Sequence, residues 1–448
     1  MSKQKTNLLE SIFVGIIAYF SFSLLLTHEQ AVLLAIIISM VILWSNEALP
    51  LGVVSLLPIV LFPSFGIVET NLVTPNYAKS IIFLFLGGFM LAIAVEKTAL
   101  HKVISTKILQ IFPNTIRGMI YALAFTSGIL SSFLSNSTTT LLLMPLALFL
   151  SKELRLKMRF ALAIAYGASI GGIMTPIGTP PNLILFGILD DLAIEPIPFM
   201  QWVVMMAPLA VVMFIFVGWV LSLGTSEYRL ESQNRLAVLT NEQLKVIFVL
   251  VSLIVLLFAN ASINPYYAGL GLNEKGILLA FGLSMFFPPF NILKWEDTKK
   301  IPFEIIFLFG AGFSIAMAFT STGLADELAR TLQAVTHLPP ALLLIMIATL
   351  VIFTTEITSN TALISMILPV IYAVTQQNGL DTRLFMIVAS ICASYAFMLP
   401  IATPPNAIAM SSGAVNIKTM AKYGIVFNVA GIILVSLFAI FYWSLFLQ

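Results

Sequence analysis

The sequence predicts an all-α polytopic membrane protein of about eleven transmembrane helices, arranged as two inverted repeats with re-entrant hairpins and broken helices. Three observations predict it. Of 448 residues, 59% are hydrophobic and 9% charged, where soluble domains carry roughly a quarter charged residues; the mean hydropathy is +1.03. Apolar stretches near the length that crosses a hydrocarbon layer of about 30 Å recur from end to end, as at 8–26, 31–43, 202–223 and 423–447. The polar strings that interrupt them occur twice, in one register.

In chain order, the first apolar run follows Lys3 and Lys5 and leads into Thr27–Gln30 rather than a small-residue cleavage site, so 1–29 reads as a retained extra span. The first repeat covers 30–224, with a hairpin over about 116–151 and a broken helix over about 158–188. A cytoplasmic linker, 225–242, leads to the second repeat over 243–448, with a hairpin at about 340–376 and a broken helix at about 383–412. Segments 98–112 and 322–338 are amphipathic and read as helices lying in the membrane interface. After each, a Ser-Asn motif cuts a hydrophobic region into halves too short to cross alone, which is the pattern of a hairpin with its tip at mid-membrane.

Charge sets the orientation. With the N-terminus inside, Lys79, Lys275, Arg330 and Arg383 fall outside, and the other eighteen of the 22 lysines and arginines fall inside. Positive charge in short loops favours the cytoplasm. The N-terminus is thus expected in the cytoplasm and the C-terminus outside. Cys392 is the single cysteine, which rules out an intrachain disulfide and a thiolate cluster. Short tails and one cysteine suit a bacterial inner membrane.

The repeat has an offset of 224 residues. Ile81–Phe85 recurs as Ile305–Phe309, Gly88-Phe89 as Gly312-Phe313, Ser135-Asn136 as Ser359-Asn360, Pro145 as Pro369, and Thr179–Asn182 as Thr403–Asn406. An odd number of crossings per copy turns the second copy upside down, a common plan for secondary transporters. Ser, Thr, Asn and Pro are ordinary helix caps, but caps inside apolar segments leave backbone groups that must find partners without water. Hydroxyls, amide oxygens and unwound carbonyls form an oxygen cage for a small cation, while helix N-termini and Asn N–H groups suit an anion. Gly178 and Ala402 admit close approach of the backbone, and Pro180 and Pro404 stop the helix from reclaiming the carbonyls ahead of them.

Neither motif region contains Arg, Lys or His, so an anion there depends on neutral dipoles and co-bound cations. No paired carboxylate, Ser/His/Asp set, His-x-x-x-His or Gly-Lys phosphate loop is present, which argues against an enzyme. Glu356, the one acid near a tip, reads equally as a hairpin-positioning contact or as a proton carrier.

The strings "EITSNTALISMILP" and "FMLPIATPPNAIAMSSG", with their first-half partners, resemble the signature of the divalent-anion/sodium symporter family over nearly the whole chain. The resemblance implies an elevator-type homodimer that moves succinate, malate, fumarate, citrate or sulfate, usually with sodium and with no other cofactor. It implies one sodium site at Ser131, Ser135, Asn136 and the Gly178 carbonyl, and a second at Thr355, the Thr358 carbonyl, Asn360 and the Ala402 carbonyl. Substrate carboxylates would meet Asn136 and Ser137 on one side and Asn360 and Thr361 on the other, with Thr179 and Thr403 lining the pocket. One position departs from the pattern: Ser137 stands where the family has Thr, which keeps the hydroxyl and loses a methyl. The same family contains sodium-independent dicarboxylate exchangers; with no basic side chain at a motif to replace a sodium, symport is favoured.

Overall fold

The computed structural model describes residues 3–46, 48–225, 239–260, 269–331 and 338–447, and among these it is helical with no strand. Most of the expected linker lies outside the described residues, as does the end of the second amphipathic segment. The chain opens with α1 (Lys3–Phe22), α2 (His28–Asn46), α3 (Leu51–Ser64) and the short α4 (Thr70–Val73). Then come α5 (Ser80–Lys97), α6 (Leu100–Ile111), α7 (Ile116–Ser131), α8 (Asn136–Phe149), α9 (Leu154–Gly172), α10 (Pro180–Asp191) and α11 (Phe199–Ser222). After the linker stand α12 (Asn241–Asn260), α13 (Glu274–Ser284), α14 (Phe303–Ser321) and α15 (Leu324–Thr331). The chain ends with α16 (Pro340–Thr355), α17 (Asn360–Gln377), α18 (Thr382–Ala393), α19 (Pro404–Ser411) and α20 (Ile417–Phe441).

Among the described residues, five helical stretches are long and apolar enough to cross a membrane: Thr70–Lys97, Phe199–Ser222, Asn241–Asn260, Phe303–Ser321 and Ile417–Leu445. Five more are apolar but shorter, among them Ile116–Ser131, Pro340–Thr355 and Thr382–Ala393. The short ones include hairpin arms and the halves of broken helices. Polar caps end them early: Ser135 accepts from the Thr138 N–H at the start of α8, and Thr403 from the Asn406 N–H at the start of α19.

The repeat is visible in the packing. α3 of the first copy packs on α14 of the second, and α13 of the second packs on α5 of the first. In the same way α8 packs on α19, and α17 on α10. These elements correspond at the offset of 224, so each contact is matched by its exchanged partner, the mark of a two-fold relation. Small repeated details follow suit. Ala99 (φ 54°) and Gly323 (φ 67°) make equivalent left-handed turns into α6 and α15. Arg159 donates to the carbonyls of Leu221 and Leu223, and Arg383 to that of Leu447, each fastening the end of a long helical segment.

Two buried apolar clusters hold the bundle. One centres on α2, α3 and α14, with Leu33, Ile37, Met40, Val54, Phe62 and Ile315 fully buried. The larger joins the hairpins, broken helices and long helices through residues such as Phe160, Tyr166, Trp202, Phe214 and Phe427. α7 and α9 approach so closely that a Cβ on Gly171 would lie 2.1 Å from the Gly128 carbonyl oxygen.

Candidate anion and cation site

Four helices begin at one place. A cavity of about 680 Å³ is lined by Ser135–Ser137 at the start of α8, Thr179-Pro180 at the start of α10, Ser359–Thr361 at the start of α17 and Thr403-Pro404 at the start of α19. Each N-terminus presents the positive end of a helix dipole, roughly half a charge. The opposite wall comes from α2, α3, α5 and α14, with Trp44, Leu51, Phe85, Phe89 and Leu308. The cavity reaches the end of the bundle where Gln4, Ala48–Leu51 and Glu304 lie. That end is fixed by α5: its terminal Lys97 pairs with Asp297 at 2.6 Å, just ahead of α14. At the other end of α5, Lys79 pairs with Asp191, and Lys275 with Asp190 at 2.8 Å.

The unwound stretches between the helix halves are held by side chains. In the first copy, Asn182 Nδ2 donates to the carbonyls of Gly172 (3.4 Å) and Thr175 (3.0 Å). In the second, Asn406 Nδ2 donates to those of Ala396 and Leu399, both at 3.0 Å, which are the same positions shifted by 224. The carbonyl of Ile173 accepts from Trp202 Nε1 (2.9 Å), and its counterpart on Phe397 accepts from the Tyr166 hydroxyl (3.0 Å). The Asn of each Thr-Pro-Pro-Asn string is therefore a clamp on the broken segment.

Each hairpin tip is tied to its broken helix by different chemistry. Thr175 Oγ1 donates to the Ser132 carbonyl in the first copy. In the second, the Glu356 carboxylate accepts from the N–H groups of Met398 and Leu399, both at 2.9 Å, and from Asn428 Nδ2 at 2.7 Å. Asn428 Oδ1 takes the Phe397 N–H at 3.2 Å. Of the two roles open to Glu356, this geometry realises the positioning contact.

Among the residues expected in the first cation site, Ser131, Asn136 and Gly178 come together. One terminal atom of the Asn136 amide lies 2.6 Å from Ser131 Oγ and 3.3 Å from the carbonyl oxygens of Ala168 and Gly178. Glycine makes this possible: a Cβ on Gly172 would sit 2.7 Å from Asn136 Oδ1, and one on Gly178 would sit 2.4 Å from the Gly172 carbonyl oxygen. Ser135 turns away, its hydroxyl capping α8 and donating to Thr138 Oγ1 at 2.8 Å. In the second copy, Thr358, Asn360 and Ala402 line the cavity, whereas Thr355 is buried and donates to the Ala393 carbonyl at 3.1 Å.

Of the expected anion contacts, Asn136, Ser137, Asn360, Thr361, Thr179 and Thr403 all line the one cavity. Thr361 Oγ1 donates to Asn360 Oδ1 at 3.0 Å. Thr179 Oγ1 is buried with no hydrogen-bond partner among the described residues. Sequence reading passed over the Ala168 carbonyl, Tyr166, Trp202 and Asn428. Their repeat counterparts are Cys392, Ser390, Val426 and Val204, so the duplication gave no signal for them.

An all-helical bundle of apolar helices, with reciprocal repeats and four helix N-termini at an internal cavity, defines a membrane transporter. The chain belongs to the citrate transporter family, whose model matches residues 40–384. It is 30% identical to the sodium-dependent dicarboxylate transporter SdcS of Staphylococcus saprophyticus, over 93% of this chain and 86% of the relative. It is also 30% identical to SdcS of Staphylococcus aureus, over 97% and 92%. The fold is shared with the YdaH transporter of Alcanivorax borkumensis (TM-score 0.59, 15% identity, 83% of this chain and 88% of that one). It is shared likewise with MtrF of Neisseria gonorrhoeae, described among antimetabolite efflux pumps (TM-score 0.61, 15% identity, 93% and 95%).

Proposed function

We propose that this chain is a secondary transporter that imports C4-dicarboxylates, such as succinate, malate and fumarate, by sodium symport. The observation that carries the reading is the oxygen cage at Asn136. With the amide nitrogen facing inward, Ser131, Ala168 and Gly178 all accept from it. With the amide oxygen inward, Ser131 Oγ donates to it at 2.6 Å, while the two carbonyls face it with no proton between them, and a cation is what reconciles these three acceptors. Hard cations hold oxygen ligands at about 2.3–2.6 Å, which sets neighbouring ligands roughly 3.3–3.7 Å apart; the two carbonyls stand 3.3 Å from the amide. Sodium entry turns the amide so that its N–H2 points the other way, toward the cavity and an incoming carboxylate. The cation thus builds part of the anion site.

Thr358, Asn360 and Ala402 supply the second, less assembled cation site, and Ser137, Thr361, Thr179 and Thr403 supply donors to the substrate. The four N-terminal dipoles complete the attraction, with no fixed positive side chain among the described lining residues. The curated relatives named for sodium-dependent dicarboxylate transport support both the ion and the substrate class.

The working unit in this reading is a homodimer in a bacterial inner membrane, with the N-terminus cytoplasmic. Its hairpins, broken helices, α11 and α20 move together as an elevator against the remaining helices. Proteoliposomes test the core of it. Succinate uptake into empty vesicles is expected to require an inward sodium gradient; uptake that ignores sodium and needs internal dicarboxylate would establish exchange instead.

A further inference from the structure

Glu304 is the one charged side chain among the described residues that line the cavity. No hydrogen bond or ion pair joins its carboxylate to another described residue. The side chain has a defined seat, because α14 packs on α3 at this level. A Cβ on Gly52 would come within 3.2 Å of Glu304 Cγ, so the stem lies along α3 where the missing methyl leaves room. The acid is exposed and stands in the cavity lining with Gln4, Leu51 and Ile305, the same lining that holds the four helix N-termini.

An unpaired carboxylate in the path of an anion opposes the anion, and the opposition grows with each charge the anion carries. Size does not separate a four-carbon dicarboxylate from citrate here, because about 680 Å³ admits either. Charge does. We propose that Glu304 is a specificity-determining residue that selects by substrate charge, favouring dianions over trianions without touching the substrate. The inference rests on the reading of this cavity as the anion path, and it gives that path a physical preference for dicarboxylates over citrate. At a separation of about 10 Å in water each substrate charge would be disfavoured about two-fold, and more where the walls exclude water.

The test is displacement of labelled succinate from the purified full-length protein at saturating sodium, using monomethyl succinate, succinate and citrate as monoanion, dianion and trianion. Wild type is compared with Glu304→Gln and Glu304→Lys. Neutralisation is expected to tighten succinate about four-fold and citrate about eight-fold, raising the citrate-to-succinate affinity ratio about two-fold. Charge reversal is expected to raise that ratio about four-fold, and added choline chloride to shrink both effects by screening. Shifts of equal size for all three ligands, or ratios that ignore choline chloride, would overturn the charge selection alone. A wild type that fails to bind succinate at any sodium concentration would instead overturn the transport reading beneath it.

Discussion

At the residue scale, the site depends on oxygens that are allowed to come close. Asn136→Ala removes the side chain that joins Ser131 to the Ala168 and Gly178 carbonyls. Loss of one partner to a charged group costs about 1.5–3 kcal/mol, so apparent sodium affinity should fall by at least ten-fold and uptake at low sodium should vanish. Sodium titration of succinate uptake checks this, and unchanged half-saturation would exclude Asn136 from the cage. Glu356→Gln keeps the shape but turns an N–H2 group toward a backbone N–H that the carboxylate now satisfies. A buried donor left unsatisfied costs about 1–3 kcal/mol, so the melting temperature should drop along with sodium affinity. A variant that melts normally would show that the broken segment holds itself.

The residues proposed to carry ligands, which line the cavity, were legible in the sequence because the duplication marks them: Ser-Asn and Thr-Pro-Pro-Asn stand out as polar strings inside apolar runs. Direction was less legible. Ser135 and Asn136 are adjacent, yet one caps its own helix and the other reaches the broken segment, a difference set by backbone angles rather than residue type. Asn182 and Asn406 read as cap residues but work as clamps on carbonyls seven and ten positions back. Tyr166 and Trp202 do equivalent jobs from non-equivalent positions; convergence of that kind leaves no trace in a repeat.

Element by element, the breaks are where the fold stores its function. Composition and periodicity foretell hairpins near 116–151 and 340–376, and the structure has helix pairs at Ile116–Ser131 with Asn136–Phe149 and at Pro340–Thr355 with Asn360–Gln377. What hydropathy does not reveal is how the elements pair across copies, because α3 with α14 and α5 with α13 are equally apolar choices. The turns into α6 and α15 give a clean test of local strain. Ala99 sits at φ 54° where its repeat partner is Gly323 at φ 67°. The left-handed region costs a residue with a Cβ about 1–2 kcal/mol. Ala99→Gly should therefore raise stability by about 1 kcal/mol in a thermal melt, and Gly323→Ala should lower it by a similar amount. The opposite pair of signs would mean that these turns are set by packing rather than by the backbone.

On the scale of the whole molecule, the cavity reaches the end of the bundle that holds Lys97–Asp297, and two further ion pairs stand at the other end. Lys79–Asp191 and Lys275–Asp190 join α5 and α13 to the end of α10, and the Phe199 N–H donates to Glu274 at 2.8 Å beside them. In the orientation proposed from the charge asymmetry of the loops, the open end is the cytoplasmic one. Partly exposed pairs contribute up to about 1 kcal/mol each, so the Asp190→Asn, Asp191→Asn double variant should favour opening on the far side by a few-fold. A Phe133→Cys reporter, which lines the cavity, should then react faster with an impermeant thiol reagent added outside. An unchanged rate would mean that these pairs do not hold the closed end.

In the proposed function cation and anion help each other into one dipole-lined pocket, and the most direct measurement is succinate affinity of the purified protein as sodium replaces potassium at constant ionic strength. Linkage requires that sodium tighten succinate and that succinate tighten sodium by the same factor, with the effect largely lost in Asn136→Ala. A succinate affinity that is identical in sodium and potassium would contradict it.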